Sequence, residues 1–389
     1  MLTQQTRGPA DGGSSTEAVK QGRAAEHAMD ATPHQTADAA KLATAVQLPH
    51  QWFVACASRR LGKRPLRTRL QDTPLVVFRD NEGRPRALLD RCPHRNVPLS
   101  EGRVVEGRLQ CRYHGWCFDG AGRCREVPGL EGEADLPSRR VASHATLEQD
   151  GFVWVWSTAD EVPSALPFRF PHLGEPGWGH VRRSYEVEAT VHSVAENALD
   201  VPHTAFLHRG LFRKASRGIA LEVIVRQGPG WVTAEYVGEP RPEGLLGRLM
   251  APGGGTVDHV DRFFVPGIAQ VEYGLGDGRL VTTSALTPLT PLRTAVHTVV
   301  SYRLPVPGFV IRPFVIPIAE HIFRQDARML ALQTQTLRHF GREAFTSTEL
   351  DAIGPIALRL LQKASRGSER AVEGGLEAPV AEKRFRLNV

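Results

Sequence analysis

The sequence predicts an α+β fold, in which a small all-β domain precedes a larger domain with an antiparallel sheet and flanking helices. Three observations support this prediction. β-Branched and aromatic runs broken by turn residues continue as far as Trp156, a proline-rich stretch follows at 157–179, and helical and strand-like patterns alternate beyond it. A chain of 389 residues has room for two or three domains, and its 41% hydrophobic residues exclude wholesale disorder.

Residues 1–46 are predicted to form a flexible arm. They contain no Phe, Trp, Tyr or Ile, so they cannot bury enough apolar surface to offset the entropy of ordering. They also lack the apolar core of a signal peptide, and the most apolar later run, 309–319, is too short to cross a membrane. Five cysteines argue against a disulfide scaffold, so we expect a soluble cytoplasmic protein.

Residues 47–156 are predicted to be the all-β domain. A β-branched and aromatic run at 73–78 is followed by a turn at 81–83 and by a hairpin partner at 86–90. The run of Phe, Val and Trp at 151–156 gives the last strand of this domain.

The prolines at 157–179 remove backbone donors and interrupt both helix and sheet, which predicts a domain linker. The second domain is expected over 180–363. Its elements are a strand, a helix, a meander of strands and a last helix, at 183–190, 192–208, 219–304 and 317–340. Residues 364–389 return to a charged, Gly- and Ala-rich composition, which predicts a flexible tail.

Two Cys/His pairs lie on loop-like stretches of the predicted β domain. Cys92-Pro-His94 and Cys111-Arg-Tyr-His114 are separated by sixteen residues. Two thiolates and two imidazoles can hold zinc, or a [2Fe–2S] cluster with both Cys on one iron and both His on the other. Zinc fingers usually place Cys with Cys and His with His, whereas here each loop supplies one of each. The mixed arrangement favours the cluster over zinc.

The wider pattern resembles the Rieske [2Fe–2S] domain of ring-hydroxylating oxygenases. The residues that carry the resemblance are Cys92-x-His94, Cys111-x-x-His114-Gly-Trp, Phe118-Asp-x-x-Gly122 and Pro128. It implies that the two Cys and two His bind the cluster. Respiratory and photosynthetic Rieske proteins have two further cysteines, which form a disulfide, and Val97 and Tyr113 stand at those positions here. Their absence indicates the lower-potential oxygenase type.

A second group of polar residues lies in the predicted helix at 192–208. Asn197, Asp200 and His203 follow one side of a helix, whereas His203 and His208 are about 140° apart and converge only if the chain bends. A His pair on a helix is more often structural than metal-binding, so this group needs a further ligand before it indicates a metal site.

On the last predicted helix, Asp326 interrupts an apolar stripe, where a carboxylate is costly to bury unless it is paired or binds metal. Two His and one such carboxylate form the facial triad of non-haem Fe(II). The alternative is an exposed Asp326 beside Arg324 or Arg328.

The order Asn-x-x-Asp-x-x-His-x-x-x-x-His, followed by Gln-Asp326, resembles the catalytic domain of Rieske non-haem iron oxygenases. It is most similar to the branch with one subunit type, which includes dicamba and vanillate O-demethylases, steroid ring hydroxylases and pheophorbide-type oxygenases. The resemblance covers about 48–337 and implies a helix-grip-like catalytic domain. It also implies specific roles: His203, His208 and Asp326 bind iron, Asp200 bridges His203 to the cluster ligand His114 of a neighbouring subunit, and Asn197 lies close to the iron.

The resemblance further implies a terminal oxygenase component. Electrons would pass from NAD(P)H, through a ferredoxin or flavin-dependent reductase, to the Rieske cluster and then to Fe(II). There O₂ would be activated and oxygen inserted into an apolar cyclic or aromatic small molecule, by hydroxylation or oxidative demethylation, with monooxygenase chemistry favoured. A head-to-tail homotrimer would bring the two metals of neighbouring subunits together.

The net charge and its distribution along the chain indicate which binding partners to expect. The formal charge is +6, and residues 91–125 carry seven arginines and three acids, an excess of four positive charges around the cluster motif. We expect this face to attract an acidic ferredoxin-like donor, with an ordinary solvated surface as the alternative. No nucleic-acid module or phosphate-binding glycine loop is present, so nucleic acid is not an expected partner. The rival function is a Rieske-type electron carrier or zinc-binding module without oxygenase activity.

Overall fold

The computed structural model of the protein describes residues 42–208, 220–240, 255–304, 308–367 and 376–388. It confirms the predicted fold class, an all-β domain followed by a domain with a large antiparallel sheet and helices. No helix within the described ranges is long and apolar enough to span a lipid bilayer.

The first domain consists of three small antiparallel sheets. In chain order its strands are β1 (Trp52–Ala57), β2 (Leu66–Leu70), β3 (Thr73–Arg79), β4 (Pro85–Leu89), β5 (Arg103–Val105), β6 (Arg108–Gln110), β7 (Cys117–Phe118), β8 (Cys124–Glu126), β9 (Ser143–His144), β10 (Thr146–Gln149) and β11 (Phe152–Trp156). The strand orders of the sheets are β1-β11-β10, β2-β3-β4-β9 and β5-β6-β7-β8. All five side chains of β11 are buried, as its run of aromatic and β-branched residues predicts.

The second domain is built on one eight-stranded antiparallel sheet. Its strands are β12 (Gly179–Val187), β13 (Ala220–Gly228), β14 (Trp231–Pro240), β15 (Thr256–Phe264), β16 (Ile268–Leu275), β17 (Gly278–Thr290), β18 (Arg293–Arg303) and β19 (Ala381–Asn388). Across the sheet the order is β12-β18-β17-β16-β15-β14-β13-β19, so the strands from β13 to β18 form a meander. Alternate side chains point to opposite faces, and both faces carry buried apolar residues.

Helices cover one face of this sheet. They are α1 (Val191–Leu199), α2 (His203–Leu207), α3 (Gly308–Phe340) and α4 (Gly354–Ser365). α1 begins at Thr190, whose hydroxyl oxygen accepts from the Ser193 amide at 3.1 Å, and it buries Val194 and Ala195 in the core. α3 is tied to the end of β12 by the Thr334 hydroxyl, which donates to Glu188 O at 2.7 Å.

The opposite face of the sheet packs on the first domain. Trp154 of β11 shares a hydrophobic cluster with Phe264 of β15, and Phe168 and Phe170 from the proline-rich stretch pack into the same cluster. The Trp52 indole N–H donates to a carbonyl of that stretch, at residue 165, over 2.7 Å. The stretch predicted to be a linker therefore lies against the surfaces of both domains.

The helical stretch predicted at 192–208 is divided into α1 and α2. Asp200 takes an extended conformation with ψ near 107°, and Pro202 begins the next turn. The extended Asp200 interrupts the helical backbone, and Pro202 has no N–H to donate to an i−4 carbonyl. This bend precedes both histidines and separates α1 from α2. α2 itself ends at Leu207, and His208 leaves the helical conformation, with φ near −108° and ψ near 43°, which moves its side chain off the helical spacing from His203.

Two terminal predictions differ from the structure. The predicted tail at 364–389 contains β19, where Leu387 is buried and Phe385 packs beside it while charged side chains face outward. This alternation is a strand pattern that the high charge of the segment concealed. The predicted arm at 1–46 is described from residue 42 onward, and Leu42 and Thr44 are buried. Residues 1–41 lie outside the described residues.

Candidate metal centres

The two loops that carry the Cys/His pairs have the same backbone geometry. In each loop the cysteine amide donates to a carbonyl five residues further on, Cys92 N to Val97 O at 2.9 Å and Cys111 N to Trp116 O at 2.8 Å. Gly115 closes the second turn with a φ of 73°, in the left-handed region that glycine adopts without strain. The two loops therefore hold their cysteines in equivalent turns, with a histidine two residues later in one loop and three residues later in the other.

The four side chains face one another between these loops. Cys92 and Cys111 are buried and close together, and burial, with the neighbouring thiol, raises the pKa of Cys92 to about 11. The His94 and His114 ring centroids are 4.6 Å apart, and His94 stacks on Trp116 at 4.8 Å. His94 Nδ1 is buried without a hydrogen-bond partner among the described residues.

These side chains fit a two-iron cluster better than a single zinc ion. A tetrahedral zinc site holds all its Cys and His atoms at about 2.0–2.3 Å from the metal. Among the described residues, no three of the four donor atoms come within 4.8 Å of one another. A [2Fe–2S] cluster separates the Cys pair from the His pair by a second iron. A bound cluster would also take up the unpartnered His94 nitrogen and displace the protons of the two buried thiols.

The second candidate centre lies where α2 meets α3. His203 begins α2, His208 follows it and Asp326 lies in the middle of α3. One donor atom from each of these residues lies within 4.8 Å of the others. Asp326 Oδ1 is 3.1 Å from His208 Nε2 and 3.6 Å from His203 Nε2. The structure therefore brings together the three residues that the sequence analysis selected from two distant segments.

The outer atoms of both imidazoles are held by neighbouring side chains. His208 Nδ1 lies 2.8 Å from Gln325 Oε1, and His203 Nδ1 lies 3.3 Å from Asp200 Oδ2. The Gln325 contact places the proton of His208 on Nδ1 and leaves its Nε2 lone pair for a metal, whereas the contact of Asp200 with His203 Nδ1 is an ion pair without hydrogen-bond geometry. Asp326 Oδ1 is buried and makes no hydrogen bond of good direction, although both Nε2 atoms are near. Three inward-facing donor atoms with such a poorly bonded oxygen fit a divalent metal ion.

Opposite charges hold this site together without a metal. Burial would raise the pKa of Asp326, but hydrogen bonds and attraction from the two imidazoles outweigh it and lower the pKa. Burial would lower the pKa of His203, but Asp200 and Asp326 outweigh it and raise the pKa to about 9. A metal ion that binds here must therefore displace a proton from His203.

An acidic cavity of about 530 Å³ lies beside Asp200. Asn197, which the resemblance places close to the iron, lines this cavity together with Tyr236 of β14. Its other carboxylates are Glu196 and Asp351, and the described lining contains no Lys, Arg or His. Burial raises the pKa of Glu196, and the negative charges of Asp351 and Asp200 add to that effect. The cavity thus suits a positively charged group better than an apolar one.

One buried charged group was missed by sequence reasoning. His259 of β15 lies between Glu239 Oε2 at 2.6 Å and Asp261 Oδ1 at 2.9 Å, and all three residues are at most 2% exposed. The rings of Tyr236 and Tyr273, its neighbours on the adjacent strands, stack on its two faces at 4.5 and 4.2 Å. Burial would lower the pKa of His259, but the two carboxylates raise it to about 9. The only sequence signal was a His and an Asp two residues apart in a strand.

Two family models match the chain, one over each domain. Residues 51–145 match the model of the Rieske [2Fe–2S] domain. Residues 187–366 match the model of the vanillate O-demethylase oxygenase C-terminal domain. The first match includes both Cys/His loops, and the second includes His203, His208 and Asp326.

Curated relatives with these domains differ in how much of their length is matched. The dicamba O-demethylase oxygenase component of Stenotrophomonas maltophilia is 37% identical over 186 residues, which cover 46% of this chain and 52% of the relative. For the chloroplastic protein TIC 55 of Arabidopsis thaliana, at 32% identity, the match covers 46% of this chain and 35% of the relative. The vanillate O-demethylase oxygenase subunit of Pseudomonas sp. strain HR199 is 24% identical over 84% of this chain and 97% of its own length.

A solved structure shares the overall fold. Dicamba monooxygenase bound to dicamba superposes with a TM-score of 0.67 and 24% identity, over 82% of this chain and 98% of that chain. The order of domains, the match to both family models and the shared fold agree with one another. The chain therefore combines a Rieske [2Fe–2S] domain with an oxygenase C-terminal domain of the vanillate O-demethylase type.

Proposed function

We propose that the protein is a terminal oxygenase component, which passes electrons from a Rieske cluster to a mononuclear Fe(II) and uses O₂ to oxidise a small molecule. The observation that carries the proposal is the convergence of His203, His208 and Asp326 within 4.8 Å, in a chain that also carries the two Cys/His loops. A plain electron carrier or zinc-binding module has no need of a second set of inward-facing ligands.

The described residues have distinct tasks in this proposal. Cys92 and Cys111 would hold one iron of the cluster, and His94 and His114 the other. His203, His208 and Asp326 would hold Fe(II) with open positions, and the bound metals supply electron storage and O₂ activation. The contacts of Asp200 and Gln325 with the outer nitrogens would fix both imidazole rings. Asn197, at the cavity wall, would limit what approaches the iron from that side.

We further propose a head-to-tail homotrimer in which the cluster loops of one subunit enter the acidic cavity of the next. Charge complementarity supports this arrangement. Of the seven arginines at 91–125, Arg125 pairs with Asp119, and the other six have no carboxylate within 4 Å among the described residues. Arg112 and Tyr113 are exposed directly beside His114. Asp200 would then connect His203 to His114 of the neighbouring subunit across the cavity.

The substrate class is an apolar cyclic or aromatic molecule. The names of the relatives, which include dicamba and vanillate O-demethylases, favour oxidative removal of a methyl group among the possible oxidations. Electrons would come from NAD(P)H through a separate ferredoxin or flavin-dependent reductase. All five cysteines are free, which suits a reducing compartment, and we propose a cytoplasmic location.

Metal analysis and O₂ uptake test the proposal. We expect three irons per chain, two in a cluster with Rieske absorption and one mononuclear, and O₂ uptake stimulated by an aromatic methyl ether, a steroid or another aromatic of a test panel. His203→Ala should lose the mononuclear iron and keep the Rieske spectrum, because the cluster ligands lie in the other domain. His297→Ala is a matched control, since His297 is also buried on the second domain but is not near the site. Zinc in place of the cluster, or full iron content in His203→Ala, would refute the proposal.

A further inference from the structure

Residues 42–48 form a segment, here called the strap, that joins the two domains on the side of the acidic cavity. At its start, the Glu343 carboxylate accepts from the amides of Ala43 and Thr44 at 2.8 and 3.2 Å, and the Thr44 hydroxyl donates to the same carboxylate. Gln362 of α4 donates to Ala43 O at 3.3 Å. Leu42 is buried against Leu292. The start of the strap is therefore fixed to the second domain mainly through Glu343.

The other end of the strap is fixed to the first domain. The Leu48 amide donates to Gln71 Oε1, and the Gln71 side-chain amide donates to Leu48 O at 3.1 Å. The Gln71 backbone amide in turn donates to Pro288 O of β17 at 2.7 Å. Leu48 is fully buried in the core. The strap therefore links a turn of the first domain to Glu343 over only a few residues.

Glu343 begins the part of the chain that forms one wall of the acidic cavity. Residues 344–347 and 350–353 line this cavity opposite Asp200. Residues 342–347 make no backbone–backbone hydrogen bond within the described chain, and most of their side chains are exposed. A wall with so few bonds of its own opens readily unless another group holds it. Three donors from the strap converge on the Glu343 carboxylate at the start of this wall. Hydrogen bonds to a charged acceptor are stronger than those to a neutral one.

We infer that Glu343 is a positioning residue, which uses the strap to hold the cavity wall in the shape that receives the cluster loops of a second subunit. This role rests on the proposed head-to-tail assembly, and the Glu343 contact is what preforms the docking surface of that assembly. Because the strap is also fixed to the first domain, the position of the wall depends on the packing of both domains. A preformed surface binds more tightly because less ordering is needed on association.

Hydrogen exchange of the wall tests the contact itself, with the metal-loaded protein. In Glu343→Ala, the hydrogen-bonded amides within 348–352 should exchange about tenfold faster, equivalent to about 1.4 kcal/mol of local opening. Glu343→Gln keeps one carbonyl acceptor and should give a smaller increase. The matched control is Glu349→Ala, because Glu349 is an exposed acid on the same wall without a described partner.

Two further measurements test the role in docking. In Glu343→Ala the dissociation constant of the oligomer, measured by sedimentation, should rise about tenfold. Reoxidation of the reduced cluster in a single turnover should slow, while the cluster spectrum and iron content stay unchanged. Unchanged exchange in Glu343→Ala, equal effects in Glu349→Ala, or faster exchange with unaltered assembly and reoxidation would each overturn the inference. A wild-type protein that never forms an oligomer would instead refute the proposed assembly, and the docking role with it.

Discussion

Replacing His259 with phenylalanine should destabilise the second domain by about 3–5 kcal/mol, because it leaves two buried carboxylates without their shared cation. Glu239 and Asp261 are almost fully buried, and His259 is the basic group that contacts both. Phenylalanine would preserve the stacking between Tyr236 and Tyr273, so the loss would report on charge and hydrogen bonding rather than on packing.

The same group predicts a pH dependence. The pKa of His259 is raised from 6.5 to about 9, so its contribution is complete below pH 6.5 and is lost as the pH rises through 9. A shift of this size corresponds to at most about 3 kcal/mol. The net value is smaller, because burial also raises the pKa of Asp261 despite the nearby imidazolium. Wild-type stability should therefore fall between pH 7 and 9.5, and stability of the variant should not follow this fall.

Urea unfolding followed by tryptophan fluorescence at pH 7 and 9.5 measures both effects. His297→Phe is the matched control: His297 is buried on the same sheet, burial lowers its pKa to about 4, and it is therefore neutral at both pH values. It should cost about 1 kcal/mol, for its contact with Ser184, at either pH. Equal losses in the two variants, or a wild-type stability that is flat from pH 7 to 9.5, would refute the assignment of a buried imidazolium.

Three other substitutions have defined outcomes. Asp200→Asn should keep both metal centres, measured by iron content and visible spectrum, but lose most turnover, since the amide cannot supply the negative charge beside His203; full activity would contradict the bridging role. Gly122→Ala should destabilise the first domain by more than about 2 kcal/mol, because the φ of 74° strains alanine and its Cβ would lie 1.9 Å from Val141 O; a melting temperature within a degree of wild type would be the contrary result. Arg108→Gln, at an exposed arginine outside the two cluster loops, should weaken the salt dependence of electron transfer from an acidic ferredoxin; rates that are insensitive to ionic strength in the wild type would remove the charge argument.

Most residues of both candidate metal centres could be predicted from the sequence because their side chains are chemically distinctive. The Cys/His spacing identified the first domain, and Asp326 stood out as a carboxylate in an apolar helical stripe. The bend that brings His203 and His208 together could be inferred only as a requirement, and the structure supplies it at the end of α2, where His208 leaves the helical conformation. Local patterns of this kind involve few other residues, so they can be recognised without knowledge of the fold.

The parts that sequence reasoning missed depend on distant partners. The Glu239–His259–Asp261 group requires the register of β14 with β15, which no local pattern specifies. Residues 42–46 look like a solvated arm because their order comes from Glu343, about three hundred residues away. α4 buries Ala357 and Leu361 against the core, but its short amphipathic pattern lies between two charged, turn-rich stretches. In each case the stabilising contact, rather than the composition of the segment, decides the structure.

The position of β19 has a consequence for production and quality control of the protein. It covers the outer edge of β13, although its residues lie about 160 positions further along the chain. Until it docks, the unpaired N–H and C=O groups of β13 can pair with another chain, and pairing across so long a loop is slow. Truncation after residue 367, or a bulky fusion placed directly behind the strand, should therefore yield inclusion bodies rather than a merely less active enzyme. Fusion partners are better placed before the strap, because the strap, unlike β19, does not pair with the edge of a sheet.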